Sequence, residues 1–397
     1  MLGRIRTLGP ALPVLAAISF VSSLGISIML PLLPLYGLSL GATPLQLGLL
    51  TSAFAVANSV GQFGGGLFVD RFGSRRFIIG GTALYAAANA LIATATSAVA
   101  LIAYRGLAGL GGGSNIIATR LYITQTADPK RLAFFNSILS AATSAGNVFG
   151  PAVGGLIAVA ADLRVPFMIV AATSTIALLG ATLLPRPERP ATAPRPAGEP
   201  TWTRAVLVLF AANMLLLVGF GGWITSYAPF ATANLGWSTF DVGIIFTIFG
   251  LGDIALGPWL GHLADRTGRR RMAIAASVPV CFFGLALVFG LPRPVVYAIS
   301  LITGASLTAF NASWFALLTT AVAPERRGRV FGTVNAIANG GVVIGAMGAS
   351  LLWQAFDVGY GLLLSSFAVL LSGAVLLLLP RDVSPARYGP AQADSPA

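Results

Sequence analysis

The chain has 397 residues, of which 56% are hydrophobic and only 9% are charged. Soluble domains carry about a quarter charged residues, so this composition excludes an ordinary water-soluble protein and predicts a lipid environment. The formal net charge of +12 would also suit a nucleic-acid partner, but the basic residues follow a membrane-topology pattern, described below, and no nucleic-acid binding is expected.

Twelve long apolar stretches follow one another along the chain. A helix that crosses the hydrocarbon core needs about 20 mainly apolar residues. Runs this long and continuous favour helices over barrel strands, because a spanning segment must satisfy its own backbone hydrogen bonds. The predicted fold class is an all-α polytopic membrane protein with twelve transmembrane helices. The predicted spans are about 11–36, 44–67, 77–97, 99–120, 134–160, 165–185, 204–227, 241–262, 272–291, 294–319, 330–354 and 359–380.

The basic residues are concentrated on one side of these spans. Of the 24 basic residues, only Arg105, Arg164 and Arg293 fall outside the loops and tails assigned to the side that holds both termini. Short loops rich in Lys and Arg stay in the cytoplasm. We therefore expect an integral protein of the cytoplasmic (inner) membrane, with both termini in the cytoplasm.

A proline-rich segment divides the twelve spans into two sets of six. Residues 185–200 contain six prolines and several charges, a composition typical of an extended, semi-rigid linker. The predicted organisation is an N-terminal six-helix bundle over 1–185, a cytoplasmic linker over 186–203, and a C-terminal six-helix bundle with a short tail over 204–397.

The two halves repeat each other at an offset of 195 residues. Gly66-x3-Asp70-Arg71-x-Gly73-x-Arg75-Arg76 follows the second span, and Gly261-x3-Asp265-Arg266-x-Gly268-x-Arg270-Arg271 follows the eighth. Internal repeats are common in secondary transporters, whose substrate site lies near the midplane between the repeats. The two bundles are therefore predicted to be pseudo-symmetric.

These motifs resemble those of the major facilitator superfamily, over essentially the whole chain. The doubled Gly-x3-Asp-Arg motif is that family's most specific signature. Two further motifs resemble its drug/proton antiporter branch, and the resemblance implies two bundles that work by alternating access. One departure is that the first span contains no acid, whereas that of many drug antiporters does. The two motifs that resemble the drug/proton antiporter branch are Arg105-x3-Gly109-x-Gly111 in the fourth span and Gly146-x3-Gly150-Pro151-x2-Gly154-Gly155 in the fifth.

The resemblance assigns gating roles to the loop motifs. Asp70 and Arg71 would latch the two halves in one state, and Arg120, at the inner end of the fourth span, is the predicted partner of Asp70. Asp265 and Arg266 are the equivalent residues of the second half, which lacks a basic residue at the position of Arg120. The alternative is that these charges only hold the loops in the cytoplasm.

The fifth span combines small residues at every fourth position with a proline. Gly146, Gly150 and Gly154 permit close helix contact, and Pro151 bends the helix. Plain tight packing accounts for this pattern. The alternative, implied by the resemblance, is that the bend closes a leak path for ions, with Gly155 completing the motif.

Two charged residues lie well inside spans, Arg105 in the fourth and Asp253 in the eighth. A charge at the bilayer centre costs about 2.5–3.5 kcal/mol on insertion scales, so both should face protein or a cavity. Because burial favours the neutral form of a carboxyl group, Asp253 is predicted to carry a coupled proton, with Arg105 adjusting its proton affinity. The alternative is that each has a purely structural role.

A sparse set of polar and aromatic residues is predicted to line the substrate cavity. Asn58 is the repeat mate of Asp253, and paired polar positions across the pseudo-symmetry suggest a shared central cavity. For each aromatic residue, packing or a place in the lipid belt is the alternative. The predicted lining residues are Asn58, Gln62, Asn115, Trp223, Tyr227, Asn311 and Trp314, with Asn213 as a further candidate.

These features predict a secondary active transporter, a monomeric proton-coupled exporter of small apolar or amphipathic compounds, with substrate, protons and membrane lipid as its partners. Export rather than import rests on the resemblance alone. An importer or facilitator of sugars or metabolites would bind a polar solute through the asparagines and would not need Asp253. A non-transporting membrane sensor is a further alternative. No enzyme activity, cofactor or metal is expected, because the sole histidine, His262, has no ligand partners and no nucleotide-phosphate loop occurs.

Overall fold

The computed structural model describes residues 11–126, 132–186, 202–323 and 326–379, and within them the chain forms helices and no strand. A short 3-10 turn, Leu376–Leu378, follows the last helix. The helices are α1 (Ala11–Met29), α2 (Leu33–Ser39), α3 (Pro44–Phe72), α4 (Ser74–Ala93), α5 (Ala98–Thr126), α6 (Leu132–Ala160), α7 (Val165–Thr182), α8 (Arg204–Ala233), α9 (Thr239–Thr267), α10 (Arg269–Val288), α11 (Arg293–Ala321), α12 (Arg327–Ala338), α13 (Gly340–Ala355) and α14 (Val358–Val375).

These helices make up twelve membrane-crossing segments, as predicted. Within the described residues, ten segments are long and apolar enough to cross a membrane by length and composition. The other two are α3 and α5, whose hydropathy is lowered by glycines and by polar residues such as Gln62 and Arg105. Each has 29 residues, which is about 44 Å of helix and exceeds a hydrocarbon core of about 30 Å. The first span is α1 with α2, and the eleventh is α12 with α13.

Each half of the chain forms its own six-helix bundle with the same neighbour relations. In the first half, α5 packs on α3 and α4, α7 packs on α4, and α1 packs on α6 and α7. In the second half, α11 packs on α9 and α10, α14 packs on α10, and α8 packs on α13 and α14. These pairs correspond one to one under the repeat. The prediction of two pseudo-symmetric six-helix bundles is therefore confirmed.

Glycines allow equivalent helix pairs to approach closely in both bundles. A Cβ added at Gly109 would lie 2.5 Å from the carbonyl oxygen of Phe54, and one added at Gly304 would overlap the carbonyl oxygen of Phe249. Gly304 and Phe249 are the repeat mates of Gly109 and Phe54. Small residues let transmembrane backbones pack directly against each other, so α3 against α5 and α9 against α11 are built in the same way.

The two bundles meet mainly through α6 with α9 and through α3 with α13. The repeat relates α3 to α9 and α6 to α13, so these two contacts are equivalent. The described polar contacts between bundles lie away from the loops that carry the Asp-Arg motifs. Thr239 Oγ1 donates to the carbonyl oxygen of Gly155 at 3.1 Å, and the hydroxyl oxygens of Thr51 and Thr225 lie 3.3 Å apart. We call this end of the molecule the closed end. The opposite end, where α3 ends before Gly73 and α9 ends before Gly268, is the basic end.

Candidate functional site

A cavity of about 470 Å³ lies between the two bundles. It is lined by α1 and α6 from the first bundle and by α8, α9, α10, α11 and α14 from the second. Its wall is mainly apolar, and none of the described residues that line it carries a charge. Concave, mostly apolar sites with a few polar groups are typical of small-molecule binding, so this cavity is the candidate substrate site.

One wall of the cavity is an aromatic cluster from α8, α9 and α10. The ring of Trp223 stacks on Tyr227 with centroids 5.3 Å apart and lies 4.8 Å from the ring of Phe246. Phe249 meets Phe283 edge to face at 5.0 Å. Because these rings pack on one another, they form a fixed, broad apolar surface from the second bundle alone.

Three asparagines line the cavity, together with the hydroxyl residues Ser27, Thr303, Ser365 and Ser366. Asn147 lines it from α6, and its Oδ1 accepts a hydrogen bond of 2.8 Å from Ser27 Oγ. Asn213 and Asn311 line it from α8 and α11. Asn213 is only 6% exposed, and the described residues offer its side chain no hydrogen bond. The two bundles therefore bring three carboxamides to one apolar space.

The structure brings two of the seven predicted lining residues, Trp223 and Asn311, into this cavity. The other two aromatic residues lie outside it, with their polar atoms occupied. Tyr227 donates its hydroxyl hydrogen to the carbonyl oxygen of Val242 at 3.2 Å. Trp314 Nε1 donates to the carbonyl oxygen of Leu209 at 2.7 Å. Both side chains thus hold helices of the second bundle together.

The three polar residues predicted from the first bundle also lie outside this cavity. Gln62 Nε2 donates to Asn58 Oδ1 at 2.7 Å, and Asn58 Nδ2 donates to the carbonyl oxygen of Gly109 at 3.4 Å. Asn115 Oδ1 accepts from the hydroxyl of Thr119 one turn later, at 3.1 Å. Hydrogen bonds within the helices, or between α3 and α5, account for these side chains.

Several lining residues were missed by the sequence analysis. Asn147 follows directly after the first glycine of the fifth-span motif, and this polar residue between small ones was a usable signal. Phe246, Phe249 and Phe283 had no such signal. A phenylalanine in an apolar helix looks the same in sequence whether it lines a cavity or, like Phe289 at 75% exposure, points away from the protein.

Asp253 is directed from α9 toward α11 and not into the cavity. Its Oδ1 accepts a hydrogen bond of 2.6 Å from Thr308 Oγ1. A Cβ added at Gly257 would lie 3.3 Å from the same oxygen, so this glycine leaves room for the carboxyl group. Phe249 and Gly250, one turn earlier on α9, line the cavity. The half-buried carboxyl is therefore inside the second bundle, one helical turn from the candidate substrate site.

Arg105 is buried in the first bundle, with 5% of its surface exposed. Its Cζ lies 4.1 Å from the centroid of the Phe54 ring, a cation–π geometry. Nη1 lies 3.9 Å from the sulfur of Met29, and Nε has no hydrogen-bond partner among the described residues. Arg105 and Asp253 are in different bundles, and the contacts described for each do not include the other. Their predicted coupling stays a prediction.

The structure describes the side chains of only some of the predicted gating residues. The side chains of Asp70, Arg71 and Arg120 lie outside the described residues, so their gating role remains a prediction. In the second half, Asp265 Oδ1 lies 3.3 Å from Arg269 Nη2, and both side chains are exposed. Arg266 is exposed as well. In this conformation Asp265 therefore pairs within its own loop and does not contact the other bundle.

The first glycine of the second motif has no neighbour in this conformation. A Cβ added at Gly261 would find no heavy atom within 4 Å. No described helix therefore packs closely against α9 at this position. The later motif glycine, Gly268, has a φ of 102°, a left-handed turn that favours glycine and allows α10 to begin directly after α9.

The motif arginines do more than hold the loops at the membrane surface. Arg75 Nη2 donates to the carbonyl oxygen of Thr182 at 2.7 Å, at the end of α7. Its repeat mate Arg270 donates from Nη2 to the carbonyl oxygen of Leu377 at 2.6 Å, just after α14. The last carbonyl groups of a helix lack intrahelical partners and carry partial negative charge. Each arginine therefore fastens the last helix of its bundle to the motif loop.

The glycines of the fifth-span motif divide between two partners. Gly146, Gly150 and Gly154 face α1, where added Cβ atoms would lie 2.6–2.8 Å from backbone or side-chain atoms of Leu24, Ser27 and Ile28. Gly155 instead faces the start of α9, in the other bundle. Pro151 lies inside α6, and its carbonyl oxygen lies against Gly243 of α9. The motif thus packs α6 inside its own bundle and also forms part of the contact between bundles.

This chain is similar in sequence to proteins named for drug resistance. It is 26% identical over 240 residues to quinolone resistance protein NorA of Staphylococcus aureus, covering 58% of this chain and 62% of NorA. It is 24% identical over 266 residues to multidrug resistance protein 2 of Bacillus subtilis, covering 64% and 66%. An uncharacterized MFS-type transporter of Methanocaldococcus jannaschii is 28% identical over 149 residues, 38% of this chain and 39% of that protein. The matches thus span about two fifths to two thirds of the relatives' lengths.

The fold is similar to that of several solved transporters. The nucleoside transporter NupG superposes with a TM-score of 0.76 at 14% identity, covering 93% of this chain and 100% of that one. A D-xylose-proton symporter superposes with a TM-score of 0.73 at 15% identity, covering 94% and 97%. The family model of the Major Facilitator Superfamily matches residues 15–230 and 209–396. The chain therefore belongs to the Major Facilitator Superfamily of membrane transporters.

Proposed function

We propose that this protein exports small apolar or amphipathic compounds across the cytoplasmic membrane in exchange for protons. The observation that carries the proposal is the uncharged, largely apolar cavity between the bundles, closed at one end by contacts between them. Such a wall suits solutes whose polar groups cost little to desolvate. The similarity to proteins named for quinolone and multidrug resistance supports export.

The proposed transport cycle is alternating access by a monomer. The bias of Lys and Arg favours a cytoplasmic basic end, and in the proposed cycle the described conformation is the one open toward the cytoplasm. The bundles 1–185 and 204–397, joined by the linker 186–203, rock about the cavity. Contacts at the closed end break in the second state, and the motif residues at the basic end, among them Asp70 and Asp265, form the new latch.

Asp253 is the proposed proton carrier. Donation from Thr308 occupies Oδ1 and leaves Oδ2 for the proton. A Cβ added at Gly250, one turn away, would lie 2.5 Å from Val148 Cγ2 of the other bundle. A change in the charge of the carboxyl group therefore acts on a segment that touches both the cavity and the opposite bundle. A proton can shift the two states only by binding them with different affinity, and Arg105 supplies a fixed positive charge in the first bundle.

The test is gradient-driven flux in proteoliposomes with Asp253→Asn. Wild-type vesicles with an imposed pH gradient, supplied with a panel of fluorescent apolar and amphipathic compounds, should show flux that collapses when a protonophore is added. Asp253→Asn should remove the gradient dependence and leave binding intact. Asp357→Asn is the matched control, because Asp357 caps α14 through the Gly359 amide and asparagine caps equally well. Wild-type gradient-driven flux in Asp253→Asn would show that the proposed mechanism is wrong.

The alternative function is uptake of a polar metabolite, and the three asparagines in the cavity are the observation that favours it. A facilitator of sugars or nucleosides would carry these solutes without a pH gradient and would tolerate Asp253→Asn. The same vesicles, loaded with buffer and given radiolabelled sugars or nucleosides, distinguish the two functions. We expect no protein-dependent uptake.

A further inference from the structure

Asn213 is the most deeply buried carboxamide that lines the cavity, and the described residues give its side chain no hydrogen bond. It lies in α8, next to the cavity residues Leu216 and Leu217. It is 6% exposed and has no side-chain hydrogen bond among the described residues. Buried amides are normally hydrogen-bonded, because an unmatched polar group costs free energy when it is removed from water. Because Asn213 lines the cavity and has no described partner, a ligand bound there is a group that can complete its hydrogen bonds.

The charge pattern of the cavity limits that ligand further. None of the described lining residues is acidic or basic, and Asp253 is turned toward Thr308. A permanent cation would lose its hydration in this space and meet no counter-charge. The cavity therefore selects against charge.

The remaining features describe the shape and the polar group of the ligand. The cluster of Trp223, Phe246, Phe249 and Phe283 offers a broad apolar wall on which a planar ring system packs. Asn311, on α11, adds a second carboxamide to the same cavity. A carboxamide both donates and accepts hydrogen bonds, so a ligand with a carbonyl group and an N–H group satisfies it best.

We propose that Asn213 determines specificity, and that it recognises uncharged, planar aromatic compounds that carry a carbonyl group and an N–H group. This inference rests on the proposed function only in taking the cavity as the substrate site. Asn213, and not the better-packed aromatic residues, is the group that distinguishes one ligand from another. The aromatic wall contributes affinity for any flat apolar compound, whereas the buried amide adds affinity only for a compound with matching polar groups.

Three fused-ring probes of similar shape test the proposal. Acridone is uncharged and has a carbonyl and an N–H group, anthracene has neither, and N-methylacridinium is a permanent cation. Dissociation constants are measured from the fluorescence of each probe titrated with the full-length protein in nanodiscs, corrected with empty nanodiscs. Wild-type protein should bind acridone about tenfold or more tighter than N-methylacridinium, because the cation loses its hydration without compensation.

Two substitutions and one control complete the experiment. Asn213→Leu should weaken acridone binding by about fivefold to a hundredfold, the range for a ligand polar group left without its partner, and change anthracene binding by less than about twofold. Asn213→Asp introduces a carboxylate and should reverse the order, so that N-methylacridinium binds tighter than acridone. Asn234→Leu, at the exposed end of the same helix, should bind all three probes as the wild type does.

The outcomes separate this inference from the proposed function. Equal wild-type binding of acridone and N-methylacridinium overturns it, as does an equal loss of acridone and anthracene in Asn213→Leu. Should Asn213→Leu fail to fold, an unreversed order in Asn213→Asp overturns it on its own. If the probe pattern holds but no pH gradient drives flux, the proposed function fails alone. If gradient-driven flux is present but Asn213→Leu binds acridone normally, only this inference fails.

Discussion

Replacing Gly155 by alanine should open the closed end of the protein. Gly155 lies near the end of α6, where an added Cβ would fall 2.9 Å from the Cα of Phe240 and closer still to the carbonyl oxygen of Thr239. Both are backbone atoms of α9, in the other bundle, so no side-chain rotation relieves the overlap. Carbon atoms in contact prefer a separation of 3.5–4.0 Å, so the helices must move apart by about 0.6–1.1 Å.

The expected shift follows from the cost of this overlap. Overpacking a well-packed contact typically costs about 1–3 kcal/mol, and separation also stretches the hydrogen bond from Thr239 Oγ1 to the Gly155 carbonyl oxygen. A cost of this size lowers the ratio of closed to open protein by about 5- to 150-fold. If about 1% of the wild-type protein is open at this end, the upper part of that range makes the two states comparably populated.

Distances between spin labels measure this shift. Cysteines introduced at the exposed positions Ala161 and Asn234 carry the labels, in a Cys281→Ala background, and double electron–electron resonance is recorded in nanodiscs. Gly155→Ala should add a longer distance component. Gly80→Ala in α4 is the control, since a Cβ there meets nothing within 4 Å. A distribution like that of the wild type, in a variant with wild-type thermal stability, would refute the role assigned to this contact.

Two further predictions concern a hydrogen bond between the bundles and a helix end. Thr247→Val removes the 2.7 Å donation from Thr247 Oγ1 to the Val148 carbonyl oxygen without changing shape. Loss of this hydrogen bond, at about 0.5–1.5 kcal/mol, should shift the equilibrium toward the open state by about 2- to 12-fold, measured with the same spin labels. The control is Thr319→Val, because the Thr319 hydroxyl bonds within its own helix, and it should cause no shift. Equal shifts in the two variants would contradict this prediction. Arg270→Ala leaves the carbonyl groups of Leu376 and Leu377 without their donor. This substitution should lower the free energy of unfolding by about 1–2 kcal/mol, which is measured as a lower thermal unfolding temperature. Arg271→Ala, in the same loop, is the control. If both variants melt together, Arg270 does not stabilise the helix end.

The bilayer explains why the fold could be predicted from the pattern of apolar residues in the sequence. Lipid requires each spanning segment to be long, apolar and internally hydrogen-bonded, so the twelve segments were visible as runs of apolar residues. The repeat then related the two halves. For example, Gly109 and Gly304 occupy equivalent positions, and the structure packs them against equivalent carbonyl groups. The segments α3 and α5, the least apolar of the twelve, were predicted as apolar stretches too, and the repeat pairs them with α9 and α11.

The candidate site was predicted less well, and its outcome was mixed. Trp223 and Asn311, predicted to line the substrate cavity, line the cavity between the bundles, and their contact with a substrate stays a prediction. Tyr227 and Trp314 were predicted from the same kind of signal, but their O–H and N–H groups are bound to backbone carbonyl groups inside the second bundle. A polar tip on a large ring satisfies its hydrogen bond either with a ligand or with a neighbouring helix, and composition does not distinguish the two.

The sequence by itself determined the membrane class, the number of spans, the duplication and the family, because each depends on residue type and spacing along the chain. Only the tertiary structure decided which side of each helix faces the cavity. In a soluble protein the polar face of a helix marks the solvent, but lipid is as apolar as a packed interior, so a transmembrane helix carries no such periodic mark. Asn213 and Asp253 both looked like cavity residues, and helix rotation places Asn213 in the cavity and Asp253 against Thr308.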